Sequence, residues 1–183
     1  MICSLHGHIP ASLFFIFLCH TNKAVTEIPV VAVDVRKSIP ISFFRLTNCT
    51  KRLVSDIVAL YVSAGWWKEE YDAMGIPKLV ESSFCFFVAQ GADGRIVGMG
   101  RALSDGVAVA YIQDLAVLPI TRGMGIGSAL VSHLTAYIKS VGVFSVMLMA
   151  QPGTASFYSS CGWTAIPQCI CLLQEDLHDH QFP

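Results

Sequence analysis

Apolar positions along this chain change period several times, and each change marks an element. From residue 84 onward, three apolar runs follow one another: Phe84 to Gln90, Ile96 to Leu103 and Val107 to Leu118. Ala92-Asp93-Gly94-Arg95 and Ser104-Asp105-Gly106 separate them. Runs of this length bounded by Asp-Gly read as strands joined by tight turns, so they predict an antiparallel meander. Upstream the period lengthens. Leu53, Ile57, Leu60 and Ala64 recur at helical spacing, and Val54, Val58 and Tyr61 widen the stripe. This predicts a helix over residues 51–64, with Asn48 and Thr50 as candidate caps and Gly65 as its stop. Ile41 to Leu46 reads as a strand before it, and Val30 to Val35 as a shorter strand-like run. Residues 66–83 are mixed: Trp66-Trp67, then Glu69, Glu70 and Asp72, then Pro77 opening a short helix. Past residue 127 the pattern predicts an amphipathic helix, a strand over 143–150, a short helix, a strand over 163–167 and its hairpin partner over 169–173. Taken together, the elements predict a mixed sheet with helices on both faces.

The stretch from Tyr111 to Gly127, YIQDLAVLPITRGMGIG, carries candidate chemistry. A strand ends at Pro119, which has no N–H to give a ladder. Gly123, Gly125 and Gly127 follow and open a helix. Glycines there let the backbone approach a ligand, and a helix start presents unpaired N–H groups and a partial positive charge. That combination suits a phosphate. A dinucleotide fingerprint does not fit, because Ser128 stands where a third spaced glycine belongs and no acidic residue follows about 20 residues on. A P-loop does not fit either, for want of a lysine.

What does fit is Arg122-x-x-Gly125-x-Gly127, which resembles the acetyl-CoA pyrophosphate loop of the GNAT superfamily of N-acetyltransferases. A second segment strengthens the resemblance. Phe157-Tyr158, followed by Gly162-Trp163, is similar to that superfamily's second signature, although Gln151 and Thr154 stand where Asn and Ala are common. The two segments lie in family-like order, and the resemblance covers about residues 41–173. It implies an α/β (α+β) fold with a mostly antiparallel central sheet. In that fold the strand before the glycine loop bulges and splays from the next strand. The pantetheine arm would lie between residues 113–118 and 146–150. The backbone of Leu115, Ala116 and Val117 would bind it as an added strand does.

The resemblance also implies roles. The amides of Gly123, Met124, Gly125, Ile126 and Gly127 would hold the pyrophosphate, with Arg122 adding a charged contact and Gln151 and Phe157 completing the cofactor site. Tyr158 is the candidate general acid for the departing thiolate. Asp114, the one carboxylate in the long strand, is either a general base or a structural acceptor at the bulge. Trp66 and Trp67 would wall an acceptor pocket; Glu69, Glu70 and Asp72 read first as solvated charges, with a bias of that pocket toward a cationic or aromatic amine as the alternative. Asp105 reads as a turn residue, and His133 as a surface residue. No metal site is expected.

Composition narrows the function classes. The 183 residues carry a net charge of −1, which leaves no basic footprint for nucleic acid. The apolar run from Ile9 to Cys19 is shorter than the roughly 20 residues of a membrane span. No Lys or Arg precedes it, so residues 1–28 are read as an N-terminal extension, with a cleaved signal as the alternative. Residues 29–183 are read as a single domain. Seven cysteines without a Cys-x-x-Cys pair point to a reduced, cytoplasmic protein. The expected activity is acetyl transfer from acetyl-CoA to a small primary amine, by direct attack, with no nucleic-acid or membrane partner. A homodimer is left open. The alternatives are a CoA-binding module without catalysis and an acetyltransferase for protein lysines or N-termini.

Overall fold

The computed structural model describes residues 40–167. Nine regular elements follow one another: β1 (Ile41–Arg45), α1 (Lys51–Ser63), α2 (Gly75–Ser82), β2 (Cys85–Gly91), β3 (Ile96–Ser104), β4 (Val109–Val117), α3 (Ile126–Ser140), β5 (Ser145–Leu148) and α4 (Ala155–Ser160). A 3-10 turn, Pro119–Thr121, links β4 to the glycine loop. The strands lie in sequence order in one sheet. Pairing is antiparallel from β1 to β4, and β5 joins β4 in parallel. The antiparallel pairs are joined by short turns where they are consecutive, and the parallel pair by the α3 crossover, as strand direction requires.

Helices cover both faces. On one, α3 lays Leu130, Leu134 and Ile138 against Phe43, Phe87 and Ile112. On the other, α1 and α2 bury Ile57, Leu60, Ile76 and Val80 against Phe86, Val88 and Met99. Cys85 to Ala89 is therefore buried without alternation, which is why this strand reads as a continuous apolar run.

The feature that positions the site is a bulge in β4. Met99 pairs with Ala116 and Arg101 with Gln113, so Gly100 alone faces both Asp114 and Leu115. Asp114 takes φ +54°, a left-handed conformation that Asp tolerates better than most residues. Gly100 leaves room there: a Cβ would sit 2.9 Å from Leu134 Cδ1 and 3.1 Å from Leu115 Cδ1, so those side-chain ends would have to shift. Pairing of β4 with β5 stops at Ile112 and Leu148. Residues 113–117 thus run on without a β5 partner, at the place where the resemblance puts the splay. It opens later than expected, however, because residues 146–148 are still paired.

Other boundaries shift. The strand expected over 143–150 is only Ser145–Leu148. α2 starts two residues before Pro77, and α3 starts at Ile126. Thr50 occupies the N-cap position of α1, but its side chain makes no capping bond. No strand forms over residues 163–167. Trp163 instead donates its N–H to Tyr158 O at 3.0 Å and closes α4. The runs expected at residues 30–35 and 169–173, the extension 1–28 and the outer parts of the 29–183 domain lie outside the described residues. No helix among the described residues is long and apolar enough to cross a membrane.

Candidate acetyl-transfer site

The glycine loop forms from three local constraints. Pro119 opens the 3-10 turn, and Thr121 closes it by donating its N–H and its hydroxyl to Leu118 O. Gly123 and Gly125 then take φ +76° and +77°. A Cβ at either would meet no atom within 4 Å, so these glycines are required by conformation and their outer side is open. α3 begins immediately after, without a side-chain cap and without an acidic residue in its first turn. The first α3 bond is Ala129 N–H to Gly125 O at 3.0 Å. Among the described residues, the amides of Gly123 to Ser128 therefore lack a protein acceptor. Six successive donors at the start of a 15-residue helix fit the negative oxygens of a pyrophosphate.

Gly127 serves a different purpose from its neighbours. A Cβ there would lie 3.2 Å from Phe157 Cζ, so this glycine lets α4 pack on the first turn of α3. Phe157 is accordingly a packing residue between two helices. Ile126 is buried and Met124 packs against the same core, so only their backbones face the loop. Ala116 is likewise buried, among the α1–α2 contacts. Arg122 is exposed, but it is not a free cation over the loop: its Nε donates to Val117 O at 3.0 Å. This bond lies at the end of β4 that has no β5 partner.

Tyr158 is half-buried on α4, edge-on to Phe157 with ring centroids 5.0 Å apart and to Trp163 at 6.5 Å. Burial raises the pKa of its phenol above the ordinary value, with further upward pushes from Cys161 and Tyr111. A phenol held protonated has a proton to donate at neutral pH. Gln151 is exposed, and its carbonyl accepts from both the N–H and the hydroxyl of Thr154, so its backbone anchors the start of α4.

Asp114 lies at the centre of a polar cluster on the α1 side of the bulge. Its Oδ2 accepts from Arg101 Nε at 2.5 Å and from the Tyr61 hydroxyl at 2.8 Å. The Gln113 amide, with its oxygen toward the guanidinium, accepts from the other Arg101 nitrogens. Ser83 Oγ accepts from Arg101 Nη1 at 3.5 Å. Burial, and then the Asp114 charge, hold the Tyr61 phenol well above its usual pKa. Beside this cluster is a cavity of about 120 Å³ lined by Tyr61, Trp66, Trp67, Tyr71, Ile76 and Asp114. Trp67 and Tyr71 meet edge to face at 89°, with ring centroids 5.7 Å apart.

The structure therefore brings Trp66, Trp67 and Asp114 together, and it brings Phe157 to Gly127. Glu69, Glu70 and Asp72 are exposed and do not line the cavity. Asp72 instead accepts from Met74 N–H at 2.8 Å. Asp105 is the expected turn residue; it accepts from the amides of Val107, Ala108 and Val109, and these bonds lower its pKa. His133 differs from expectation. It is half-buried between Phe43 and Phe87, stacked on the latter at 14°, and burial lowers its pKa. Sequence reasoning missed Arg101 and Tyr61. Arg101 had a signal: it is the one charge in the run from Ile96 to Leu103, and a partner was available in the next strand. Tyr61 was concealed within an apolar helical stripe.

A sheet opened by a bulge beside a glycine-led helix start defines a fold class, and comparison with known proteins agrees. The chain matches the Acetyltransferase (GNAT) family over residues 44–163. It belongs to that family. Among its relatives is an uncharacterized ycf52-like N-acetyltransferase of Prochlorococcus marinus, 40% identical over 74 residues, or 40% of this chain and 41% of that protein. Serotonin N-acetyltransferase 2, chloroplastic, of Oryza sativa is 35% identical over 82 residues, 45% of this chain and 41% of that protein. The chain spans about two fifths of the length of these two relatives. In fold it is similar to an aminoglycoside acetyltransferase from an uncultured soil metagenomic sample, with a TM-score of 0.62 at 24% identity over 73% of this chain and 95% of that one.

Proposed function

We propose that this chain transfers the acetyl group of acetyl-CoA to a primary amine of a small molecule. The observation that carries this reading is the junction of two features at one point. β4 leaves β5 after Ile112, and the amides without acceptors begin at Gly123, past the end of β4. The backbone of Leu115 to Val117, which has no β5 partner, pairs with the pantetheine amides, and the amides of Gly123 to Ser128 hold the pyrophosphate. Arg122 leaves the Val117 carbonyl for the phosphates when they arrive.

Acetyl-CoA supplies the activated acyl carbon. The amine nitrogen attacks that carbon directly; an N–C bond forms and the C–S bond breaks. The Tyr158 hydroxyl gives its proton to the departing sulfur. The amine's own proton passes to Asp114 Oδ1, the oxygen that Arg101 and Tyr61 leave uncommitted among the described residues. Cys85 and Cys49 do not compete as nucleophiles: burial pushes Cys85 up to about 12 and Cys49 up to about 11, which keeps both as thiols.

A small acceptor, rather than a peptide, is supported by the aromatic cavity, which is compact and walled instead of a long groove. The test is thiol release from acetyl-CoA against an amine panel. Release that depends on the amine is expected; proven CoA binding with no release for any amine refutes catalysis and leaves a binding module.

A further inference from the structure

The aromatic cavity allows the acceptor to be described more closely, on the reading that acetyl transfer takes place at the β4 opening. We infer that it selects a primary amine carrying one apolar group no larger than a single six-membered ring. Three observations lead there. First, the walls are mostly aromatic. Tyr61, Trp66, Trp67 and Tyr71 supply four rings and Ile76 the remaining apolar surface. The Tyr61 hydroxyl is already used, because it donates to Asp114 Oδ2. Second, Asp114 is the one charged side chain on the lining, and Arg101 balances it through Oδ2. Oδ1 then remains to accept one N–H of the amine at the mouth. No second charged side chain in the lining matches another ammonium. A diamine or polyamine would bury a second charge without a counterion, at a large desolvation cost. Third, the volume is about 120 Å³. An apolar cavity of about 150 Å³ is known to take benzene. One ring or a short branched alkyl chain fills the space here, and a bicyclic indole exceeds it.

Turnover of acetyl-CoA is compared across phenethylamine, isoamylamine, ethanolamine, putrescine and tryptamine. Loss of a single methylene contact in an apolar pocket changes kcat/KM about 10- to 200-fold. Phenethylamine should therefore exceed ethanolamine and putrescine by about 100-fold or more, and tryptamine should fall at least about tenfold below phenethylamine. Ile76→Phe, which fills the cavity, should remove the preference while leaving CoA affinity unchanged. Tyr71→Ala, at a half-buried wall position, should raise tryptamine toward phenethylamine. It decides the matter if Ile76→Phe does not fold.

A second readout separates this inference from the reading beneath it. Phenethylamine binding is followed by quenching of tryptophan fluorescence, with Tyr71→Ala as the comparison. Equal turnover of all five amines overturns the cavity assignment and leaves acetyl transfer standing. No turnover of any amine, with phenethylamine still quenching more strongly than ethanolamine, overturns transfer and leaves the cavity assignment standing. No preference in either readout overturns the inference.

Discussion

Replacing Arg101 with Met should destabilise the protein through Asp114 rather than through lost packing. The Arg101 and Asp114 side chains are 12% and 21% exposed, and Nε meets Oδ2 at 2.5 Å. An exposed pair contributes about 0–1 kcal/mol, whereas removing one partner of a buried pair costs about 3–5 kcal/mol. Exposure here lies nearer the buried limit, which places the cost at about 2–4 kcal/mol. The Tyr61 hydroxyl still donates to the orphaned oxygen and keeps the cost from the upper extreme. Asp114→Asn provides the matched change, since Asn also tolerates the positive φ found there. In a double-mutant cycle, the two substitutions together should cost less than the sum of each alone, with a coupling of about 1–3 kcal/mol. Urea denaturation of the four proteins at pH 7, with slopes compared for unchanged m, measures it. A coupling below about 0.5 kcal/mol would show that the pair does not hold the bulge.

Three other outcomes are expected. Tyr158→Phe keeps the ring contacts with Phe157 and Trp163 but removes the hydroxyl, so kcat should fall tenfold or more with little change in acetyl-CoA affinity; wild-type kcat where chemistry limits the rate would assign Tyr158 to packing. Gly125→Ala places a Cβ on a residue at φ +77°, at a cost of about 1–2 kcal/mol, and should weaken CoA binding by tilting the loop amides; calorimetric titration at unchanged affinity would separate the loop from the phosphates. Burial lowers the pKa of His133, so the folded state resists the proton that the unfolded chain accepts; stability should be full above about pH 6.5 and decline as pH falls below it, and in His133→Phe that decline should be smaller in thermal scans between pH 7 and 5.

Much of this site was readable before the fold was known, because it rests on local rules. Asp-Gly turns and contiguous apolar runs marked β2 to β4 to within a residue or two. Pro119 and the glycines marked the loop for reasons that need no tertiary contact. What was not readable depends on register. The bulge exists because Gly100 faces two residues of β4, and only pairing shows which two. The same register sets Arg101 against Asp114. The failed strand at residues 163–167 shows the converse: Trp163-Thr164-Ala165-Ile166 alternates like a strand, but Ile166 is 58% exposed and no described strand lies beside it to bury the pattern. The burial of His133 depends on tertiary contacts in the same way. Helical spacing placed it off the main stripe, yet Phe43 and Phe87 reach out from the sheet and cover it. Trp66 and Trp67 announced a pocket by themselves, whereas Tyr71 and Ile76 joined it only through the path of the chain into α2.

On the proposed function, the β4 opening and the α3 start together seat acetyl-CoA. A crystal structure of the full chain grown with CoA tests it most directly. The pyrophosphate is expected on the amides between Gly123 and Ser128, with the guanidinium of Arg122 turned from Val117 O toward the phosphates. The pantetheine is expected along residues 115–117 of β4 and the sulfur within hydrogen-bond reach of the Tyr158 hydroxyl, on the path to the Trp66–Trp67 cavity. CoA seated elsewhere, or its sulfur remote from both Tyr158 and that cavity, would contradict it.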